Sequence, residues 1–273
     1  MRRNILKKYF KLNQMIIVSS LFILNVLGIL IFNSNKSDAS ETHNIENPNT
    51  INAYHINYEV ANRNPDKYES MEELQKETNE GVDWKINTEK NDSDTIIAAM
   101  HGGAIEPGTT ELAKYTARLG NYDYFSFEGI RSENNSELHV TSVNYNNDVL
   151  HNMVSDKQYS VMIHGYKGDK AIAYIGGKDK ALRLEITDEL KSKGIKAEEA
   201  PDLIEGRANS NPANMNEKGE GVQIEMTTAL REQLFSNNDL SSQSRSDESN
   251  YSATMLDMAK AINQAINKVK IEE

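Results

Sequence analysis

Cysteine is missing altogether from the 273 residues. That excludes disulfides, thiol metal ligands and a thiol nucleophile, and with them the cysteine peptidases. It also excludes a lipoprotein anchor, which needs a cysteine behind its apolar segment. Basic charge is short as well: 30 Lys and Arg face 41 Asp and Glu, a net charge of −11. An acidic balance of this kind disfavours nucleic acid as a partner. Internal repeats are absent, and so is any repeated wall-binding module. Tryptophan occurs once, at Trp84, where packing is the expected role.

Long apolar runs are scarce too, with a single exception at the start of the chain. Residues 1–14 carry Arg2, Arg3, Lys7, Lys8 and Lys11, and Met15 to Phe32 is then mostly apolar. A basic region, an apolar stretch and small residues at Ser37-Asp38-Ala39 read as a secretory signal peptide over residues 1–39. The run is long for a signal and near the lower limit for a bilayer span, so an uncleaved N-terminal anchor is the alternative. Either way the chain is expected to be exported, secreted or anchored facing outside, touching membrane only through this segment. Residues 40–66 are rich in Asn, Glu, Thr and Ser and read as a polar spacer, with His43 and His55 as solvated bystanders.

Residues 67–273 read as one domain, a monomer with enough apolar content for one core. Ser70 to Thr78 reads as a helix opened by a Ser70/Glu73 capping box. Strands are expected at Gly81–Ile86, Thr95–Met100, Tyr122–Phe127, Leu138–Ser142, Gln158–Ile163, Ala171–Ile175 and Gly221–Met226. Helices are expected at Thr109–Leu119 with Thr109 as N-cap, Tyr145–Ser155, Asp179–Lys193 closed by Gly194, and Thr227–Phe235. After a polar loop, Ser236 to Asn250, comes a last amphipathic helix, Ser252 to Lys270. Its apolar face, Met255, Met258, Ala259, Ile262 and Ile266, suits docking on the domain better than on a membrane. Strand and helix alternate, which predicts an α/β fold: a single mixed central sheet with helices on both faces.

Three of the expected strands end alike. Thr95–Met100 runs into His101 and a Gly-Gly loop that carries Glu106. Gln158–Ile163 runs into His164-Gly165. Gly221–Met226 carries Glu225 near its end. In open α/β sheets, ligands bind beyond the carboxyl ends of the strands. Two histidines and a carboxylate with water in the fourth position make a catalytic zinc site, and a further Glu beside that water is the usual general base. Taken singly, each residue also reads as a polar side chain leaving the core.

The blocks H-G-G-A-I-E-P-G-T-T-E-L, F-S-F-E-G-I-R-S, L-H-V-T-S, V-M-I-H-G-Y-K-G-D, A-Y-I-G-G and N-P-A-N-M-N-E-K-G-E-G-V-Q-I-E-M together resemble the poly-γ-glutamate hydrolase family. The resemblance runs from about Lys67 to the last helix. It implies a zinc-carboxypeptidase-like α/β fold and hydrolysis of γ-glutamyl amide bonds. It further implies Zn2+ held by His101, Glu106 and His164, with Glu225 as general acid and base. His139 is common to the family pattern and is expected either to orient a ligand or simply to pack.

A γ-linked polyglutamate carries a free carboxylate on every residue, so the site needs cations or backbone amides. Arg131, Lys167 and Arg207 lie in loops beside the motifs and are the candidates. Asn216 and Lys218 join them because the family pattern often reads Asn-Arg where this chain has Asn216-Glu217. A Glu cannot hold a carboxylate, and Lys218 offers only a point charge. Removing residues 1–39 takes away six Lys/Arg and one Asp and leaves 24 positive against 40 negative side chains. Attraction to a polyanion therefore has to be local. The other readings are a peptidoglycan γ-D-glutamyl peptidase and a non-catalytic cell-surface binding protein.

Overall fold

A computed structural model describes residues 66–272. The expected signal or anchor, His43, His55 and all of the spacer except Asp66 lie outside the described residues. Among the described residues no helix is long and apolar enough to cross a membrane.

Strand β2 (Thr95–Gly103) is buried at every position. A strand apolar on both sides has to be covered on both sides, which puts it inside a sheet flanked by helices. The elements around it are α1 (Met71–Glu77), β1 (Trp84–Glu89), α2 (Thr109–Gly120), β3 (Asp123–Gly129), α3 (Asp148–Val154) and β4 (Tyr159–Tyr166). Then follow β5 (Ala173–Gly177), α4 (Lys180–Ser192), β6 (Ala197–Glu199), β7 (Val222–Thr227), α5 (Thr228–Glu232), α6 (Ser242–Arg245) and α7 (Ala253–Glu272). The strands form one seven-stranded sheet in the order β1-β3-β2-β4-β7-β5-β6. Strands β3, β2, β4 and β7 run parallel, while β1 and β5 run antiparallel to their inner neighbours. The three strands that carry the motif residues, β2, β4 and β7, are therefore side by side with their carboxyl ends together.

Each face of the sheet has its own core. On one side Ile97, Ala99, Val161, Ile163, Ile224 and Met226 meet α2, α4 and α7. On the other, Ile96, Ala98, Met100, Met162, Phe125 and Phe127 meet α1, α3 and the Tyr145 ring. Met255, Met258, Ile262 and Ile266 of α7 are fully buried, each contributing about 1.5–3 kcal/mol of transfer free energy. That face docks on the domain, packed against α2 and α4 in the core they share with the sheet, as its mixed polar side predicts.

Several local expectations change. Leu138–Ser142 is no strand: Asn135–Leu138 and Ser142–Asn144 are 3-10 turns, with extended backbone at His139 between them. Thr109 does not cap α2. Gly108 holds that position in the left-handed region, and the Thr109 hydroxyl donates back to the Glu106 carbonyl instead. Ser70 Oγ does accept from Glu73 N at 3.1 Å, but the Glu73 carboxylate accepts from Glu69 N, one residue upstream of a full capping box. Gly194 follows α4 with φ +77°, the left-handed residue after a helix end. Trp84 stacks on Phe127 and donates to Thr78, a packing role. Short helical turns, α6 and Glu248–Asn250, interrupt the expected polar loop.

Candidate metal centre

Strand β2 carries a bulge near its end. Ala99 pairs with Ser126 but Gly102 pairs with Glu128, so three steps on β2 answer two on β3. Ile96, Ala98 and Met100 all face the core of α1 and α3. Strict alternation would turn His101 to the opposite face. The extra residue cancels that turn. His101 stays on the Met100 side, its ring 5.8 Å from that of Tyr145 and its Nε2 2.8 Å from the Val140 carbonyl. A carbonyl only accepts, so Nε2 carries hydrogen and, in the neutral ring, Nδ1 keeps its lone pair.

The loop after β2 returns on itself. Glu106 N donates to the His101 carbonyl at 2.9 Å, and Gly103 and Gly108 supply the positive φ values of +64° and +100° that the path needs. This brings Glu106 Oε2 to 3.4 Å from His101 Nδ1 and 3.9 Å from His164 Nδ1. The same oxygen accepts from Gly165 N at 2.8 Å, which ties the loop to the end of β4. His164 shares its face with Met162, and its Nδ1 lies 3.3 Å from His101 Nδ1. One ligand atom from each of the three residues falls within 4.8 Å of the others.

Electrostatics sharpen the picture. Burial pushes the His164 pKa down to about 3, helped by the neighbouring His101. Burial also works against the His101 cation, but Glu106 outweighs it and the pKa rises. For Glu106 burial pushes upward, yet His101, His164 and His139 pull its pKa down to about 2. His164 Nε2 is buried without a hydrogen-bond partner among the described residues. Two imidazole nitrogens and a carboxylate oxygen thus converge in a buried place, a donor set that fits zinc. Glu225 stands on β7 in register with His164, on the same face, and accepts from Gln223 Nε2 at 3.0 Å. It is nearly buried as well.

The remaining candidates separate. The His139 ring lies against His101, with centroids 4.0 Å apart, and its Nε2 is 3.8 Å from Glu106 Oε1. Lys167 follows β4 and is exposed. Arg131 is held by Asp83 at 2.6 Å and Glu137 at 3.3 Å, and Arg207 by Glu199 and Glu205. Both guanidinium groups already have carboxylate partners within the chain. Asn216 and Lys218 are not at this edge at all. Asn216 bonds the Gln158 carbonyl and Ser160 Oγ, Glu217 bonds Gln158 and the Lys157 carbonyl, and Lys218 lies 4.2 Å over the Tyr159 ring. These partners sit at the amino end of β4, a strand's length from His164. The departure at Glu217 therefore does not touch the cluster.

Two residues near the centre have no obvious signal in the sequence. Asp66 sits at the end of an apparent spacer. Its Oδ1 is 2.7 Å from His139 Nδ1 and its Oδ2 accepts from Thr141 N at 2.6 Å. Arg231 lies inside a short helix and is nearly buried. It donates to the carbonyls of Pro107 at 2.9 Å and Met226 at 3.3 Å, and to Thr228 Oγ1 at 3.3 Å. A Cβ on Gly165 would meet Arg231 at 2.9 Å, so the glycine makes room for it. Burial lowers the Arg231 pKa against the pull of Glu106, Glu232 and Glu225. Only the helical position of Arg231, six residues after Glu225, could have drawn attention to it.

The sheet and the cluster define a class: an α/β domain with a candidate metal centre at the carboxyl edge of its central parallel strands. The chain belongs to the poly-γ-glutamate hydrolase family, whose sequence profile matches residues 68–257. It is 36% identical over 172 residues to the SPbeta prophage-derived UPF0714 protein YoqZ of Bacillus subtilis (strain 168), an alignment covering 62% of each chain. The UPF0714 protein YmaC of the same organism is 34% identical over 186 residues, 67% of this chain and 77% of that protein. Among solved structures, a bacteriophage poly-γ-glutamate hydrolase superposes with a TM-score of 0.74 at 34% identity, covering 77% of this chain and all of the other. A zinc-free apo form of YndL gives 0.69 at 28% identity, covering 75% and 99%.

Proposed function

We propose that this domain is a zinc-dependent hydrolase of γ-glutamyl amide bonds and that its substrate is poly-γ-glutamate. The observation that carries the reading is the convergence of His101 Nδ1, Glu106 and His164 Nδ1 beside Glu225 in a member of this family. The solved phage enzyme, a poly-γ-glutamate hydrolase, and the zinc-free form of YndL support substrate and metal respectively.

His101, Glu106 and His164 would hold the ion. Zinc there would supply Lewis acidity for the scissile carbonyl and would lower the pKa of water toward ~7. Glu225 would take the proton of the attacking water as the C–O bond forms and then deliver it to the nitrogen of the leaving amine as the amide C–N bond breaks. His101 is kept in the tautomer that leaves Nδ1 free by the Val140 carbonyl, and Glu106 is aimed by the Gly165 amide. Attraction of the polyanion is left to groups close to the cluster, because the chain as a whole is acidic and salt screens its field beyond about 10 Å.

Glu217 is the sequence feature that favours a cell-wall substrate, and its place at the far end of β4 removes that support. In the test, the purified protein shortens poly-γ-glutamate on a sizing gel and a chelator stops it. A protein that ignores the polymer and releases peptides from cell walls would overturn the substrate. Export belongs to the same proposal and rests on residues 1–39 alone. N-terminal sequencing of protein from the medium should find Ser40 first; membrane-bound protein retaining Met15 to Phe32 would show an anchor instead.

A further inference from the structure

The segment His139–Thr141 reaches the centre twice. Val140 takes the Nε2 hydrogen of His101 on its carbonyl, and the His139 ring covers the His101 ring at 4.0 Å. Yet this segment is in no strand, so no ladder of backbone bonds fixes it. One side chain brackets it. Asp66 binds His139 Nδ1 with one carboxylate oxygen and Thr141 N with the other, at 2.7 and 2.6 Å, on either side of Val140 in the chain. The carboxylate thereby sets both where the Val140 carbonyl points and how the His139 ring lies.

We propose that Asp66 is a positioning residue of the metal centre, which orients His101 and Glu106 through the Val140 carbonyl and the His139 ring. The inference rests on the zinc reading above and deepens it. Asp66 touches none of the three ligand residues; it acts through residues 139–141, and it lies outside the stretch matched by the family profile, residues 68–257. A residue that looks like the end of a linker thus belongs to the machinery of the site.

The two groups held by Asp66 constrain different motions. A hydrogen bond to Val140 stops the His101 ring from flipping Nδ1 away from Glu106. The His139 ring, lying against it at 36°, stops it from tilting out of the cluster. Loosening such supporting contacts around a metal typically costs 10–100-fold in affinity or activity.

The experiment uses the full chain as wild type, Asp66→Asn, His139→Ala and the double variant. Competition with a chromophoric chelator gives zinc affinity, and the visible spectrum of the cobalt-loaded protein reports ligand geometry. Asp66→Asn keeps the shape and an acceptor for Thr141 N, and circular dichroism confirms folding. The expected result is zinc affinity about 10–100-fold lower in each single variant, with an altered cobalt spectrum. Because Asp66→Asn keeps an acceptor for Thr141 N and disturbs the His139 arm, the double variant should lose little more than His139→Ala alone. Wild-type affinity and spectrum in Asp66→Asn would overturn the proposal while leaving the zinc reading intact. Full additivity in the double variant would overturn the shared route. A wild-type chain that binds neither metal would sink the zinc reading itself and this inference with it.

Discussion

His101 and His164, 63 positions apart in the chain, present their Nδ1 atoms to each other at 3.3 Å in a fully buried place. Two imidazoles in that arrangement repel if both are charged, and if both are neutral His164 must carry its hydrogen on Nδ1 and donate it to His101 Nδ1, which leaves only one Nδ1 lone pair between them. The Glu106 carboxylate at 3.4 and 3.9 Å adds a negative charge to the same spot. A divalent cation between the three would take both Nδ1 lone pairs and the carboxylate oxygen at once.

Removing either histidine should therefore remove the metal. His101→Ala and His164→Ala are expected to purify without zinc and without activity, as read by metal analysis in a mass spectrometer. Stoichiometric zinc in one of them would strike that histidine from the ligand set.

Glu225→Gln should separate binding from turnover. It keeps size and position on β7 beside His164 while deleting the base, so zinc content stays normal. General acid–base catalysis is typically worth ~10²–10⁴-fold, and kcat should fall by that much. A zinc-loaded variant with near-normal kcat would end the assignment.

Glu217→Arg should change neither kcat nor KM for the polymer. The family-like arginine would be restored, but at the amino end of β4 among Lys157, Gln158 and Tyr159. A marked drop in KM would show that substrate reaches that end.

Arg231→Met should loosen the loop that carries Glu106, because the Pro107 and Met226 carbonyls lose their donor. Leaving a buried acceptor unpaired costs about 1–3 kcal/mol, measurable by urea unfolding. Arg231→Lys should recover little, since an ammonium cannot fork between several carbonyls. Wild-type stability in Arg231→Met would contradict this account.

Asp66 should make the metal-free protein sensitive to acid. Burial raises its pKa, but the bonds from His139 and Thr141 overcome this and bring it from 3.8 to about 2. A folded pKa below the unfolded one stabilises the protein above about pH 4 and ceases to do so as pH falls toward 2. Urea midpoints across that range, in the presence of chelator, should fall less steeply for Asp66→Asn than for wild type. Parallel curves would refute the assignment.

The chain itself determined the α/β class, because an apolar run such as Thr95–Met100 demands cover on both faces and the intervening segments have helical period. It also marked His101, Glu106, His164 and Glu225 as candidates, since each interrupts or follows such a run where a polar side chain needs a reason. What it left open were matters of three-dimensional approach. The bulge in β2 decided the face of His101, and a bulge depends on how β2 pairs with β3. Leu138–Ser142 alternates like a strand, yet it pairs with no strand among the described residues and is bonded instead to Asp66, 75 residues before Thr141. Asn216 and Lys218 neighbour the Glu225 strand in sequence, but strand direction put them at its opposite end. Local periodicity sets the type of element and the residues at its ends; register, strand direction and long-range hydrogen bonds, which no short window contains, decided which of those residues meet.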